Sequence, residues 1–327
     1  MQEMINIMKN RAIELMNDGT VARVIGWSRG EFVYDMIPTV FNSVEDVEKS
    51  FAYSDFCGSN LSKYLIEQGS KEGKTLVFLK PCDTYSFNQL LTEHRIDREK
   101  VYVVGIECQG KLNYELLKKA GVKRLVSADV EGDTVTVTDA KGTYTLPAVD
   151  VLAERCVNCK SRKHVVYDEL IGQSGEVLDS HRFDMVAELE ALSPTERFEF
   201  WQEQLSKCIR CNACRKVCPA CTCEKCVFDN DASGIATKAN SDSFEEKMYH
   251  IIRAFHVVGR CTDCGECSRV CPENIPLHLL NRKFIKDINE LYGEYQAGEE
   301  AGSRNPLVSY TTDDCEPDVV YERGGNE

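Results

Sequence analysis

Two cysteine runs constrain this chain more than any other feature. Cys208, Cys211, Cys214 and Cys218 precede Pro219 in the spacing C-x2-C-x2-C-x3-C-P, and Cys261, Cys264, Cys267 and Cys271 precede Pro272 in the same spacing. Thiolates at i, i+3 and i+6 wrap a tight loop around three corners of an iron–sulfur cube, and the fourth, beyond the loop, reaches a second cube. The spacing therefore assigns Cys208, Cys211, Cys214 and Cys271 to one [4Fe–4S] cluster and Cys261, Cys264, Cys267 and Cys218 to another. Structural zinc wants four ligands in a tetrahedron, typically from two separated C-x2-C pairs, and has no use for the third cysteine of each loop or for the C-P. Cys214, Cys218 and Cys221 also spell C-x3-C-x2-C, the radical S-adenosylmethionine triad, but they lie inside the first run and no βα-barrel pattern follows them.

The full count is seventeen cysteines in 327 residues, of which 43% are hydrophobic. A chain of this length buries a core without the help of disulfides, so the excess reads as metal binding in a reducing, anaerobic cytoplasm. Cys82 follows the strand-like TLVFLK through Pro81, and Cys108 follows VYVVGIE. Both positions are carboxyl ends of parallel strands, where open α/β sheets hold their cofactors. With the C-x2-C of Cys156 and Cys159 they make a third four-thiolate set, the alternative being four small core residues. Cys221, Cys223 and Cys226 form C-x-C-x2-C and lack a fourth thiolate. Cys57, in SDFCGSNL, is the remaining cysteine outside the acidic tail, and arithmetic joins it to that trio in a fourth cluster between two domains. A zinc ion, a three-thiolate cluster with an outside ligand, or no metal at all are the alternatives. Cys315 is left as the unpaired remainder.

Apolar strand candidates at 20–27, 75–80 and 101–107 alternate with helical stretches at 60–69 and 83–96, for which Asn60 and Asp83 serve as N-caps. That alternation predicts an α/β N-terminal domain with a mostly parallel sheet over residues 1–190. Residues 133–146 read as a hairpin turning at Asp139 to Gly142, at an edge. PTERFEFWQEQLSK is helical and leads into an α+β ferredoxin-like domain with two [4Fe–4S] clusters over 191–297. An inserted helix at 243–260 separates the runs, with Ser243 and Glu246 in capping-box positions, Met248, Ile251, Ile252 and Phe255 on one face, and Gly259 as its stop. Residues 298–327 read as an acidic tail.

The formal charge of −14 argues against a nucleic-acid partner, which would need clustered Lys and Arg. Locally, Arg210, Arg215, Lys216, Arg260 and Arg269 lie in or beside the cysteine runs, either offsetting cluster charge and raising potentials or standing as solvated side chains. The N-terminus MQEMINIMKNRAIELMNDG has no continuous apolar h-region, and no run approaches the roughly 20 apolar residues of a membrane span. No G-x-G-x-x-G or Walker sequence is present, and the histidines form no metal-ligand pair; His256 reads as a core or surface residue. Nothing resembles a nucleophile with its base.

With these residues quoted, a resemblance can be named. KPCDTYSFNQLLTEHRIDREKVYVVGIECQGKLN and CVNCKSRKHVVYDELIG resemble the proline–cysteine, strand–cysteine and C-x2-C segments of the beta subunit family of coenzyme-F420-dependent hydrogenases and formate dehydrogenases. KCIRCNACRKVCPACTCEKCVFD and RAFHVVGRCTDCGECSRVCPENIPLHLL resemble a branch that accompanies heterodisulfide-reductase-like or formate dehydrogenase complexes. The resemblance implies electron transfer between a soluble carrier or flavin and redox partner subunits of a multi-subunit complex, and FAD in the α/β domain of many members. Where the family carries a double glycine near the flavin, this chain has Cys57, Gly58, Ser59 and Asn60, which suits a cluster ligand better than a close approach to flavin. The expected role is an electron relay, the alternative an FAD-containing oxidoreductase acting directly on a deazaflavin or similar carrier.

Overall fold

The computed structural model describes residues 2–178, 181–230 and 243–308, with side chains of the last segment from 248 onward. Five strands form the main sheet: β1 (Arg23–Arg29), β2 (Met36–Phe41), β3 (Thr75–Leu79), β4 (Val101–Ile106) and, after three strands that pair elsewhere, β8 (Glu169–Ile171). Their order is β2-β1-β3-β4-β8, parallel from β1 to β8, with Val24 opposite Leu76, Val77 opposite Val103 and Gly105 opposite Leu170. TLVFL and VYVVGI are near-continuous apolar runs, as strands covered on both faces must be. Met8, Ala12 and Leu15 of the helix Gln2–Asn17 and Phe87 and Leu90 of the helix Pro81–Thr92 share one core with them.

The parallel-rich α/β sheet is thus present, with two strands that pattern reading missed. β2 carries Pro38, which reads as a breaker, but the strand is antiparallel to β1 at the sheet edge, where a missing donor is tolerated. β8 is too short to show a period. The hairpin at 133–146 exists as β6 (Thr134–Asp139) and β7 (Gly142–Pro147), yet it is no edge of the main sheet. Joined by β5 (Ser127–Glu131), it forms a separate antiparallel sheet that packs Val135 and Val137 against Leu117 and Val151.

Two helix starts differ from expectation in instructive ways. Residues 61–68 form a 3-10 stretch, with Asn60 Oδ1 accepting from Ser62 N at 3.1 Å. The next helix starts at Pro81, two residues before the expected cap, because proline is preorganised for the first helical position. Asp83 caps from inside instead, accepting from Lys80 N at 3.3 Å and from Lys80 Nζ at 2.7 Å.

Beyond residue 180, the helix Pro194–Ser206 carries the capping box of Ser193 and Glu196, and the helix Ser243–His256 lies between the two cysteine runs. The side chains of Ser243 and Glu246 lie outside the described residues. Met248, Ile251 and Phe255 are exposed, whereas Tyr249, His250, Arg253, Ala254 and Val257 are buried. The inward face is therefore the cationic and aromatic one, because the interior it meets is made of cysteine sulfur. A helix at Leu277–Tyr292, which pattern reading missed, closes the region. The tail is docked at its start. Glu299 O accepts from Asn88 Nδ2 at 3.4 Å, Gly302 N donates to Thr92 Oγ1 at 2.8 Å, and a Cβ on Gly298, at φ +77°, would stand 1.8 Å from Tyr85 O. Cys315 and the other residues after 308 lie outside the described residues. Among the described residues no helix is long and apolar enough to cross a membrane.

The Lys80–Asp83 pair has both side chains 1% exposed, so removing one partner strands the other charge. Lys80→Met is expected to cost about 3–5 kcal/mol in anaerobic denaturant unfolding.

Candidate metal centres

The first centre grows out of the parallel sheet. Cys82 is the second residue of the helix that follows β3, Cys108 stands two residues after β4, Cys156 lies in the short helix Glu154–Val157, and Cys159 follows it. All four line one cavity of about 70 Å³, together with Lys80, Lys111, Arg155 and Cys264. Lys80 Nζ donates to Ser59 O at 2.7 Å, and Lys111 Nζ donates to Tyr53 Oη at 2.9 Å and Asp55 Oδ1 at 3.0 Å. Burial pushes the Cys82 thiol well up and the Cys159 thiol up to about 11, so each sheds a proton only as metal replaces it. Four thiols and three cations fit a dianionic [4Fe–4S] unit.

The second and third centres come from the two loops, whose backbones match. Arg210 and Asn212 have φ of 52° and 61°; Asp263 and Gly265, at the equivalent positions, have 58° and 64°. Left-handed residues alternating with right-handed ones turn successive N–H groups inward and make a concavity for anions. Accordingly Arg210 N donates to Cys208 Sγ at 3.3 Å. Asn and Asp tolerate this region, while Arg at φ 52° is held there against local preference. Its guanidinium lies 4.0 Å over the Tyr249 ring.

Cys208, Cys211, Cys214 and Cys271 line a single cavity with His250. Cys218, from the first loop, is an electrostatic neighbour of Cys261, Cys264 and Cys267 of the second. In both sets the last cysteine of one loop stands near cysteines of the other, which is the neighbourhood the crossed pattern needs. Among the described residues, no three His, Cys, Asp or Glu side chains converge on one ion. A cube spreads its thiolates wider than that.

Two residues that sequence reading passed over hold these centres together. Arg253, 3% exposed, faces Cys267, Cys218, Cys214 and Cys221 together, and its Nη2 donates to Cys214 O at 3.3 Å. Arg155 donates from Nη1 to Cys264 O at 2.6 Å and from Nη2 to Gly58 O at 2.8 Å, next to Cys156. Although burial opposes it, Arg269 and Arg155 hold the Glu266 carboxyl down at about 2, so the link is ionic. His250, 1% exposed, has neither ring nitrogen bonded, and burial holds its pKa down at about 3, so it meets the sulfur cavity as a neutral imidazole. The cations foreseen near the runs are mostly spent on carboxylates: Arg215 on Asp229, Arg260 on Glu93 and Arg269 on Glu266.

The set expected from Cys57, Cys221, Cys223 and Cys226 does not assemble. Cys57 is fully buried in the core of the main sheet, with Lys111, Lys80 and Asp55 as its charged neighbours, and burial pushes its thiol up to about 11. Its neighbours Lys80 and Lys111 are those of the first centre, so counting leftovers paired it with the wrong neighbourhood. Cys221, Cys223 and Cys226 line a different cavity with His256, and the Cys221 thiol hydrogen-bonds the Cys218 thiol.

A family model described as "4Fe-4S dicluster domain" matches residues 204–275. Over 85% of its length the chain is 23% identical to the F420-dependent formate dehydrogenase subunit beta of Methanocaldococcus jannaschii, covering 88% of that protein. It is 24% identical to the F420-dependent formate dehydrogenase 1 subunit beta of Methanococcus maripaludis, over 66% of this chain and 72% of that one. A chain of the F420-reducing [NiFe] hydrogenase complex from Methanosarcina barkeri aligns with TM-score 0.40 at 14% identity, covering 64% of this chain and 90% of that one.

Replacing Arg253 with Met removes a buried cation shared by several thiolate sets. Reduction then adds an electron to a site with less positive charge nearby, so redox-monitored EPR should show midpoint potentials moving negative for more than one signal. His250→Phe should move one signal only, in the same direction, through loss of a polar imidazole that lines that cavity.

Proposed function

We propose that this chain is the iron–sulfur electron-transfer subunit of an oxidoreductase complex of the formate dehydrogenase or hydrogenase type. The observation that carries the reading is the end-to-end contact of three four-cysteine sets. Cys264 of the second loop lines the cavity of Cys82, Cys108, Cys156 and Cys159, and Cys214 and Cys218 are adjacent across Arg253. When bound, [4Fe–4S] clusters supply one-electron redox chemistry. The chain's own work is to hold thiols at cube corners, keep water out and set charge: Lys80, Lys111 and Arg155 do so at the first set, Arg253 between the other two.

In this reading residues 1–190 form the α/β module, 191–297 the dicluster module with Ser243–His256 as its inserted helix, and the remainder the tail. Electrons pass between a soluble carrier and a partner subunit, without turnover of substrate in this chain. A formate dehydrogenase partner is preferred to a heterodisulfide-reductase-like one, because the relatives that match most of the chain bear the former name. FAD is not part of this reading.

Anaerobically purified protein should be brown. Cys156→Ser should lower iron by about four per chain while sparing the signals of the other sets. In the complete complex the same substitution should cut electron flow from reduced carrier to a viologen acceptor to background. A colourless protein carrying zinc and no iron would sink the reading.

A further inference from the structure

We infer that Cys221, Cys223 and Cys226 bind a further [4Fe–4S] cluster whose fourth ligand is the imidazole of His256, with Cys57 taking no part. The inference rests on the multi-cluster reading above and goes beyond it. The trio spans six residues directly after Cys218 and Pro219, and its three side chains line a single cavity of about 170 Å³. The wall opposite them is the last turn of the helix Ser243–His256 and the residues after it, which contribute Arg253, His256, Val257 and Arg260. His256, itself exposed, is the only histidine in that lining, and among the described residues no other cysteine joins it.

Arg215, Arg253 and Arg260 line the cavity; Arg215 is engaged by Asp229 at 2.9 Å and Arg260 by Glu93 at 2.6 Å, so Arg253 is the one of the three not spent on a carboxylate, and Glu224 is the remaining acid of the lining. Arg253 Nε and Arg215 Nη1 are buried there without a hydrogen-bond acceptor. Buried N–H donors left without acceptors are rare and costly, and the sulfides and thiolates of a cube would satisfy both. A single zinc ion would need its ligands drawn to about 2.0–2.3 Å, and the cavity is roomier than that. On binding, the three thiols lose their protons and the imidazole enters neutral. Relative to a four-cysteine site this leaves one negative charge fewer, the change that raises potential when histidine replaces cysteine at iron–sulfur centres.

The position gives the site a use. Cys221 N donates to Cys218 O at 3.1 Å, so the trio abuts the set of Cys261, Cys264, Cys267 and Cys218. Cys223 is exposed, whereas Cys214, Cys218 and Cys267 are buried. The further cluster is a side branch that opens to solvent.

The test uses the full-length chain, purified anaerobically. Cys223→Ser should remove about four irons per chain and one EPR signal. Pulsed EPR of that signal in the wild type should show a strongly coupled nitrogen, which His256→Ala should abolish. His256→Cys should keep the iron and move the midpoint of that signal negative. Cys57→Ser should change neither iron nor signal. Nitrogen coupling that survives in His256→Ala, loss of the same signal in Cys57→Ser, or zinc in place of the four irons overturns the inference. If Cys223→Ser keeps all its iron while Cys214→Ser loses about four, this site fails and the electron-transfer reading stands.

Discussion

Buried positive charge is the condition on which this structure depends. Thiolates and the clusters they hold are anionic, and taking them out of water is costly unless opposite charge is fixed beside them. The chain fixes it with Lys80, Lys111 and Arg253, all buried, and with Arg155, whose side chain is 9% exposed, each set against cysteine sulfur. Backbone carbonyls take up several of their donors, Ser59 O and Gly58 O among them. Lys80, Lys111 and Arg155 are also held by the carboxylates of Asp83, Asp55 and Glu266, so Arg253 is the cation of the four whose balance waits most on the anion that arrives with iron.

The same charges join the two halves of the chain. Arg155 and Arg269 clamp Glu266, which has no exposure, and Glu266 accepts from Asn60 N at 3.3 Å. Gly58 is pressed so closely that a Cβ would meet Arg269 Cδ at 2.8 Å. On the other flank Arg282, 1% exposed, reaches Asp263 at 2.8 Å and Glu154 at 2.7 Å, tying the second loop to the helix that carries Cys156. These bonds run between residues flanking different cysteine sets. Spacing between centres is therefore held by ion pairs with fixed geometry and does not hang on a linker.

Much of this was legible in the sequence, and the divide has a physical reason. Local patterns could be read from the sequence: the strands preceding Cys82 and Cys108, and the nearness of Cys271 to Cys208, Cys211 and Cys214. Parallel strands buried on both faces also announce themselves in TLVFL and VYVVGI. What escaped depends on the partner across space. The helix Ser243–His256 shows an apolar stripe, and rules made for hydrocarbon cores turn it inward; here the core is sulfur, so Arg253 and His250 go in and Phe255 stays out. Cys57 was assigned by elimination, a form of inference blind to which neighbours the fold supplies. Only the assembled fold puts His256 beside the trio.

The paired loops, finally, are alike in shape and opposite in charge. At the third position of each, where the backbone turns left-handed, one has Arg210 over a tyrosine ring and the other Asp263 held by Arg282 and Arg182. If both loops hold clusters, as proposed, the two wells would differ in local charge, and the difference would lie in Arg210 and Asp263, open to retuning without the loss of a cysteine.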